Sequence, residues 1–429
     1  MHNHSGSSAV TDINSTIPLA DPIQTSDMDS AARHPSLPLA GVRVIDFTHH
    51  AAGPMCTMLL GDYGAEVIKI EPPGGEAFRS SGTVRVQGEH VGFLALNRNK
   101  KSVELNLKSE AGQRAARDLI RDAHVVVENF RPGKMARIGL DYHSLLAVNP
   151  RLIYCSLSAF GATGPYSHKQ GLDVVLQAMS GLMSITGEPD GGPLPAGAPI
   201  ADITSGIFGA LGVVLAVLEQ RRSGEPQHVE IAMFECMISM LNLRYQQMFA
   251  EKRALSRIGA SHPQASPWDV YQAADGQFVI AATRDEYWYR MCEGLGIGEY
   301  ARDPRFVNIK SRVANRAQVN ALLNDLFKTR PRQYWLELLD EAQVPNGPVN
   351  NLQEVLNDEQ AKHNGTFISM QHPISGEIET IAPPIRINGR AAPHLGPPAL
   401  GNSTAAILRE LNLAIADFPS SDNRQGELE

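Results

Sequence analysis

The sequence predicts an α/β fold: a large Rossmann-like domain with a parallel sheet, and a smaller α+β domain. Short apolar strands alternate with helical segments from residue 37 to about residue 225, as in doubly wound folds. The pattern then changes to longer amphipathic segments and a hairpin. A length of 429 residues exceeds one ordinary core, and 43% hydrophobic with 20% charged residues is typical of a folded chain.

The first ordered segment has the pattern of a strand–helix–strand unit. Residues 42–47 form an apolar strand, residues 54–63 a helix and residues 66–70 the next strand. Pro54 stands in the first turn of the helix and Gly64 follows its end, where these residues are favoured. Because the connection contains a helix, the two strands are predicted to be parallel.

The same alternation continues along the chain and sets the predicted domain boundaries. Further strands are predicted at 102–107, 124–128 and 151–156, and helices at 109–121, 172–182 and 202–220. A long helix at 234–252, a hairpin at 268–282, helices at 286–295, 317–328 and 332–342, β-type alternation at 367–387 and a helix at 404–413 follow. The domains are a disordered tail (1–36), a large domain (37–225, completed by 385–420), a linker helix (226–261), a small domain (262–370) and a return segment with a tail (371–429).

Charge and cysteine content exclude several classes of protein. The 46 acidic residues exceed the 38 basic residues, giving a net charge of −8, so a broad basic surface for nucleic acid is not expected. The isolated cysteines form no CxxC pair, which predicts no metal site and a reducing, cytoplasmic location. The longest apolar run, 207–218, is shorter than the roughly 20 residues of a membrane span, so no membrane partner is expected.

Basic and amide side chains stand where predicted strands begin and end. One group, residues 97–101, immediately precedes a strand, and another, residues 129–137, follows one. Ligands of open α/β sheets lie beyond the carboxyl ends of the strands, so these groups predict a site for an anionic, nucleotide-like ligand. Phe130 beside Arg131 suits a base stacked on a ring with a phosphate on the cation. A solvated basic face explains each segment equally well when it is judged alone.

Two aspartates are candidate catalytic residues. Asp173 lies near the start of a predicted helix, where an acid also stabilises the helix end. Asp190 precedes Gly191 and Gly192 in a loop between two apolar helices, where a carboxylate can act as a nucleophile or simply form an Asx turn. The sequence has no GxSxG or HExxH motif, and the first βα turn lacks the GxGxxG pattern of NAD enzymes.

Several segments occur in a fixed order that is characteristic of a known family. They are Pro38–Phe47, Ala52–Pro54, Gly64–Glu71, Asn97–Ser102, Val127–Gly133 and Thr186–Asp190. In these segments the chain resembles the class III CoA-transferases, and the resemblance extends from about residue 37 to residue 415. The family includes formyl-CoA:oxalate and carnitine CoA-transferases, succinyl-CoA-dependent transferases of dicarboxylates and the α-methylacyl-CoA racemases.

The resemblance implies an interlocked homodimer and a set of site residues. Asp190 matches the nucleophile of the transferases, and Asp173 matches the catalytic aspartate of the racemases. Racemases usually have His before that aspartate, whereas this chain has Leu172, which favours a transferase. The positions that match CoA contacts are His50, Ala51, Asn97, Arg98, Asn99, Lys100, Asn129, Phe130, Arg131, Arg137, Ser158 and Gly161.

The implied reaction moves CoA from an acyl-CoA, with succinyl-CoA as one candidate, to a carboxylic acid. Asp190 attacks the thioester and forms first an aspartyl anhydride and then an enzyme–CoA thioester, with the N–H groups of Gly191 and Gly192 stabilising the oxyanion. Acyl-CoA is a substrate, and no permanent cofactor is expected. The alternatives are a 2-methylacyl-CoA racemase or epimerase with Asp173 as base, an NAD-dependent oxidoreductase and a non-catalytic acyl-CoA-binding protein.

Overall fold

The computed structural model describes residues 37–388, 394–415 and 418, so the tail predicted for residues 1–36 lies outside the described residues. The first part of the chain alternates strands and helices. Its elements are β1 (Arg43–Asp46), α1 (Ala52–Asp62), β2 (Glu66–Glu71), α2 (Ala77–Ser80), β3 (Arg85–Val86), β4 (Glu89–His90), α3 (Val91–Leu96), β5 (Lys100–Glu104), α4 (Glu110–Arg121), β6 (Val125–Glu128), α5 (Tyr142–Leu146), β7 (Ile153–Ser158), α6 (Asp173–Met179), α7 (Leu182–Ile185), α8 (Ile200–Ser223) and β8 (Gln227–Ala232).

The remaining part contains mainly short helices and two antiparallel hairpins. Its elements are α9 (Met233–Met240), α10 (Asn242–Glu251), β9 (Trp268–Gln272), β10 (Gln277–Ala281), α11 (Asp285–Gly294), α12 (Ile309–Ala314), α13 (Arg316–Phe327), α14 (Arg332–Glu341), β11 (Asn346–Pro348), α15 (Leu352–Leu356), α16 (Glu359–His363), β12 (Phe367–His372), β13 (Gly376–Ile381) and α17 (Thr404–Glu410).

The described residues form one large parallel sheet, which confirms the predicted α/β class. Its strand order is β5-β2-β1-β6-β7-β8, and each neighbouring pair is parallel. Counted along the chain within the sheet, this is the order 3-2-1-4-5-6 of dinucleotide-binding folds. The strand order reverses between β1 and β6, so the crevice for a ligand is expected beyond their carboxyl ends.

Both faces of the sheet are covered, which explains the continuous apolar runs of its strands. Val44 and Val127 pack in the core beneath α1 and α8, whereas Ile45 and Val126 pack in a second core with α4 and α17. A third core is formed by β9, β10 and helices α11, α13 and α14. The predicted hairpin at 268–282 is present, because β9 and β10 pair antiparallel from Trp268↔Ala281 to Gln272↔Gln277.

Helix α8 lies against α1 at very short range. A Cβ on Gly206 would stand 2.6 Å from Cβ of Met55, and one on Gly209 would stand 3.1 Å from Sγ of Cys56. Glycine is therefore required where the two helices meet. By length and composition α8 is apolar enough to cross a membrane, but half of its most apolar stretch is buried within the protein, as in a core helix.

Several predicted boundaries differ from the structure. Strand β8 lies beyond the predicted domain limit at residue 225, yet it pairs with β7 and completes the large sheet. The helix predicted for 234–252 is two helices, because the backbone leaves helical geometry at Leu241 (ψ 11°) while the apolar pattern continues across the break. The helix predicted for 172–182 likewise divides at Gly181, which has φ of +92°. A boundary at 370 would cut strand β12, whose partner is β13.

The C-terminal segment returns to the large sheet. The hydroxyl of Thr404, at the start of α17, accepts a hydrogen bond of 2.9 Å from the N–H of Glu104 in β5. Ile407 and Leu408 are buried in the same core as the sheet. Helix α17 therefore packs on the large sheet, whereas the predicted domain bounds stay a prediction.

Candidate active site

Two loops meet at the carboxyl ends of β1 and β6. The N–H of His49 donates to Oδ1 of Asn129 at 2.9 Å, and Nδ2 of Asn129 donates to the carbonyl of His49 at 2.8 Å. This reciprocal pair joins the loops across the point where the strand order reverses. Burial, with the nearby charge of Lys69, lowers the pKa of His49 to about 4, so this imidazole is neutral near pH 7.

The first of these loops approaches helix α1 closely. A Cβ on Gly53 would stand 2.4 Å from Cβ of Thr48, so only glycine allows this turn. His50 is exposed and has φ of +62°, a strained value for a residue other than glycine. Its N–H donates to Oε2 of Glu76 at 2.9 Å, which fixes the loop in this conformation. His50 and Ala51 thus stand at the N-terminus of α1, where backbone N–H groups favour an anion.

A buried network of opposite charges lies beneath the first loop. Nζ of Lys100 is 3.1 Å from Oδ2 of Asp46, and Nζ of Lys69 is 2.8 Å from Oε1 of Glu76. Lys69 also donates to the carbonyl of Thr48 at 2.7 Å. Burial favours the neutral acid, but the charges of Lys100 and Lys69 outweigh it and lower the pKa of Asp46 to about 2. The loop that bears His50 therefore rests on buried ion pairs.

Arg98, which is buried, and Asn99, which is half-buried, both bind the carboxylate of Asp62. The Arg98 side chain is bidentate on Asp62, with Nε and Nη2 donating at 2.8 and 2.6 Å. Nδ2 of Asn99 donates to the same carboxylate at 2.8 Å. Arg98 is 5% exposed, so its guanidinium is not available to a phosphate in this arrangement. The sequence showed the cation but not its partner 36 residues earlier.

Lys100 and Asn97 are likewise buried. Nζ of Lys100 donates to Oδ1 of Asn97 at 2.9 Å and to the carbonyl of Pro54 at 3.1 Å. Burial lowers the pKa of Lys100 to about 8, although the charge of Asp46 partly offsets this effect. In this structure the side chains of residues 97–100 have partners within the protein, and their contact with CoA stays a prediction.

The second loop presents exposed cations. Arg131, Lys134 and Arg137 are exposed, and none forms an ion pair within the part of the chain that the structure describes. Nζ of Lys134 lies 3.6 Å from the ring centre of Phe130, and the ring of His49 lies 4.9 Å from it. Phe130 thus contacts both a cation and a second ring. Lys134 was not among the predicted contacts, although it follows Arg131 by three residues in the same loop.

A third loop follows β7 at the same edge of the sheet. Ser158 and Gly161 are half-buried, and the N–H of Gly161 donates to Oγ of Ser158 at 3.0 Å. Gly161 has φ of +91°, which requires glycine in this turn. The predicted positions His50, Ala51, Asn129, Phe130, Arg131, Ser158 and Gly161 therefore lie in three loops at one edge of the sheet.

Glu128 is a residue of this edge that the sequence did not single out. It is 8% exposed, and its Oε2 accepts a hydrogen bond of 2.7 Å from the N–H of Phe130. Burial raises the pKa of Glu128 to about 7. Glu128 is the last residue of strand β6 and directly follows three valines. Its position at the end of an apolar strand could have indicated a buried acid.

We expect Glu128 to make stability depend on pH. Because its pKa is raised on folding from 4.5 to about 7, its contribution is complete below pH 4.5 and is lost as the pH rises to about 7. The loss is about 3 kcal/mol for a shift of this size. In Glu128→Gln this component of the pH dependence disappears, measured as the free energy of unfolding in urea at several pH values. Glu230→Gln, an exposed acid two strands away, is the control and should behave as the wild type.

Asp190 is exposed on the loop between α7 and α8. It forms no hydrogen bond or ion pair with the described residues, whereas the backbone around it is well fixed. The N–H of Gly191 donates to the carbonyl of Glu188 at 3.0 Å, and that of Leu194 donates to Thr186 at 3.3 Å. The N–H of Gly191 is thus occupied, so Gly192 retains the N–H available to an oxyanion.

Residues beyond α10 hold the Asp190 loop from outside. Nη2 of Arg257 donates to the carbonyl of Gly191 at 2.7 Å, and its Nε donates to Glu188 at 3.3 Å. The N–H of Gly259 donates to the carbonyl of Gly187 at 3.0 Å. Gly187 has φ of +122°, a value that glycine alone adopts readily. Arg257 fixes the position of the candidate nucleophile and was not a predicted site residue.

Asp173 caps a helix. Its Oδ1 accepts from the N–H groups of Ala201 and Asp202 at 2.7 and 3.2 Å, at the start of α8. Its Oδ2 accepts from Nε2 of Gln177 at 2.5 Å. Both carboxylate oxygens therefore have partners, which favours the structural interpretation over that of a base. Burial, assisted by the charge of Asp173, raises the pKa of Asp202 to about 6.

Comparison with known proteins identifies the family. The sequence model of CoA-transferase family III matches residues 39–404, which is most of the chain. The chain belongs to this family. A succinate–glutarate CoA-transferase of Agrobacterium fabrum is 37% identical over 382 residues, covering 87% of this chain and 96% of that protein. An acetyl-CoA:oxalate CoA-transferase of Acetobacter aceti is 38% identical over 380 residues, covering 88% and 96%.

The fold agrees with a solved structure of the same group. A CaiB/BaiF family protein from Brucella suis superposes with a TM-score of 0.80 at 37% sequence identity, covering 87% of this chain and 99% of that one. This family III protein is therefore a CoA-transferase, as its sequence motifs predicted. Within its described residues, no group of three His, Cys, Asp or Glu side chains could hold a metal ion.

Proposed function

We propose that this family III enzyme moves CoA from an acyl-CoA to a carboxylic acid, with Asp190 as the nucleophile. The observation that carries the proposal is the contrast between the two candidate aspartates. Asp190 is exposed and has no partner among the described residues, on a backbone fixed by Arg257, whereas both oxygens of Asp173 are occupied. A nucleophile needs a free oxygen, and it gains from being held in position.

The reaction proceeds through two intermediates on Asp190. Its carboxylate attacks the thioester carbonyl, the C–S bond breaks and CoA leaves as the thiolate, which gives an aspartyl–acyl anhydride. The thiolate then attacks the aspartyl carbonyl, releases the donor acid and leaves an aspartyl–CoA thioester. An acceptor carboxylate repeats the two steps in reverse. The N–H of Gly192 stabilises the oxyanion of each tetrahedral intermediate.

The three loops at the sheet edge bind CoA. Arg131, Lys134 and Arg137 pair with its phosphates, since they are the exposed cations of this edge. The N–H groups at the start of α1, beside His50 and Ala51, are suited to one more phosphate oxygen. Phe130 supplies the ring beside which the nucleotide base lies, and Ser158 and Gly161 border the same crevice.

Short dicarboxylic acids are the proposed acceptors, and succinyl-CoA the proposed donor. The relatives named above act on succinate, glutarate and oxalate, according to their names. We place the enzyme in the cytoplasm, where thiols stay reduced, because its described cysteines are all free and buried. Acyl-CoA is a substrate in this proposal, and no permanent cofactor takes part.

An isotope exchange experiment tests the function. With succinyl-CoA and ¹³C-labelled succinate, label enters the thioester without net reaction, and mass spectrometry follows it. A panel of acyl-CoA donors and acids extends the assay. Solvent deuterium uptake at C2 of a 2-methylacyl-CoA, with no exchange of any acid, would instead show a racemase. Binding of CoA without either reaction would show a non-catalytic protein.

We further propose that the enzyme is an interlocked homodimer. Ile207, Leu211, Leu215 and Leu218 form a stripe on one face of α8, and each is at least half exposed in the single chain. A continuous apolar face of this kind is typical of an interface. We expect sedimentation to give twice the chain mass of 46.6 kDa. Leu211→Glu with Leu215→Glu should weaken association, whereas a wild type that sediments as a monomer would contradict the proposal.

A further inference from the structure

Three basic side chains converge beside Trp268, outside the loops described above. His262 stacks on Trp268 with ring centres 4.5 Å apart. Arg244 comes from α10, and Arg316 is the first residue of α13. Asn320, one turn after Arg316 in α13, donates from Nδ2 to the carboxylate of Asp269 at 2.7 Å, and the hydroxyl of Ser261, next to His262, donates to the same carboxylate. Burial lowers the pKa of His262, and the positive charges of Arg244 and Arg316 lower it further. Residues far apart in the sequence thus form one basic cluster.

No described carboxylate neutralises this cluster. Nη1 of Arg316 is buried and has no hydrogen-bond partner among the described residues. Within the described part of the chain, the guanidinium of Arg244 donates to Oε1 of Gln247, at 3.2 Å, and to no carboxylate. The nearby acid Asp269 is occupied, since its carboxylate accepts hydrogen bonds from Ser261, from Nδ2 of Asn320 at 2.7 Å and from its neighbour's N–H. Arg316 is half-buried, and a buried guanidinium nitrogen without a hydrogen-bond partner among the described residues is costly, which indicates an anionic ligand.

The cluster is tied to the Asp190 loop by a short length of chain. Gly259 bonds directly to Gly187 of that loop, and His262 follows Gly259 by three residues. The Cα atoms of Gly259 and His262 are therefore at most about 11 Å apart. On the other side, the hydroxyl of Tyr245, next to Arg244, donates to the carbonyl of Ser180 at 3.0 Å, just before α7.

The hydrogen bonds of the His262 imidazole define which ring nitrogen carries the proton. Its Nδ1 accepts a hydrogen bond of 3.2 Å from the N–H of Gln264, so the proton of the neutral ring is on Nε2. Two guanidinium groups and one imidazole N–H supply the donors that a carboxylate requires. Phosphates of CoA have their own cations, Arg131, Lys134 and Arg137, at the edge of the sheet, which leaves this cluster for another anion.

We infer that Arg244, His262 and Arg316 bind the distal carboxylate of a dicarboxylic substrate whose other carboxyl group reacts at Asp190. The inference rests on the proposed function and adds to it a residue set that selects dicarboxylic over monocarboxylic substrates. The same chemistry applies to a free acid and to the acyl group of a donor thioester, so both are tested.

The experiment compares acids of equal length with and without the second carboxylate. In Arg316→Gln and Arg244→Gln, the KM for glutarate should rise about 10- to 100-fold, the loss expected for one charge-assisted hydrogen bond, while the KM for pentanoate stays unchanged. Succinyl-CoA and butyryl-CoA form the matching donor pair. Arg253→Gln is the control, because that arginine is exposed and paired with Glu251 in the same connection.

A binding measurement separates this inference from the proposed function. Glutarate should raise the melting temperature of the wild type but not of Arg316→Gln, and pentanoate should stabilise neither. If the wild type transfers CoA to no acid and still shows these shifts in melting temperature, the proposed CoA-transferase function is wrong, whereas the inferred carboxylate site is supported. Equal losses with glutarate and pentanoate, or a raised KM for every CoA thioester regardless of its acyl group, would overturn the site.

Discussion

Replacement of Asp190 with alanine is expected to lower kcat/KM for CoA transfer by about 10⁴-fold or more, because no other group can form the two covalent intermediates. The chain should remain folded, since the Asp190 side chain is exposed and forms no bond with the described residues. Far-UV circular dichroism and the melting temperature should therefore match those of the wild type, and CoA affinity should be retained.

The intermediate itself gives the sharper measurement. Incubation with an acyl-CoA, trapping with hydroxylamine or borohydride and peptide mass spectrometry should locate the modification at Asp190. Glu188→Gln is the matched control, because Glu188 is an exposed carboxylate of the same loop, two residues away. It should be labelled and active like the wild type. A modification at another residue, or full activity in Asp190→Ala, would refute the assignment.

Asp173→Asn distinguishes the transferase from the racemase. The substitution weakens the cap of α8, because the amide can accept from Ala201 but not with the strength of a carboxylate. We expect the free energy of unfolding of Asp173→Asn to fall by about 1 kcal/mol, as for the loss of a helix cap, and the transfer activity to be retained. A loss of activity far larger than the loss of stability would instead give Asp173 a chemical role.

The large sheet could be predicted from the sequence because its strands are short, apolar and regularly separated by helices. Strand β8 was missed for the opposite reason: as an edge strand with exposed His228 and Glu230, it alternates instead of forming an apolar run. The break at Leu241 was missed because the apolar period does not change there. The apolar periodicity identifies which face of a helix is buried, but it does not identify where the helix is interrupted.

The candidate site could be predicted only in part, because composition does not show which charges are paired. Arg98 and Arg131 look alike in the sequence, each beside an asparagine or an aromatic residue and close to a strand. One is bound to a buried acid and the other is exposed. The contribution of Arg257 was equally hidden, since it acts through backbone carbonyls of a loop 66 residues earlier in the chain.

Asp62→Ala provides the strongest test of whether Arg98 is a structural ion-pair partner and not an exposed ligand contact like Arg131. The substitution leaves the buried Arg98 guanidinium without its bidentate partner and also removes the acceptor for Asn99, which has φ of +61°. We expect the free energy of unfolding to fall by about 3–5 kcal/mol, the cost of a buried charge left unpaired. Urea denaturation at one fixed protein concentration measures it.

Two further variants separate a structural ion pair from a ligand contact. Adding Arg98→Met to Asp62→Ala removes the unpaired charge and should restore part of the lost stability, since an apolar side chain of similar length can replace a buried pair. Glu219→Ala, which breaks the exposed pair with Arg222, should cost less than about 1 kcal/mol.

If Arg98 instead bound a CoA phosphate, Arg98→Met would weaken CoA binding while leaving the stability of the free enzyme intact. The burial of both partners predicts the reverse, because a charge-assisted pair without solvent contact stabilises the fold whether or not CoA is bound.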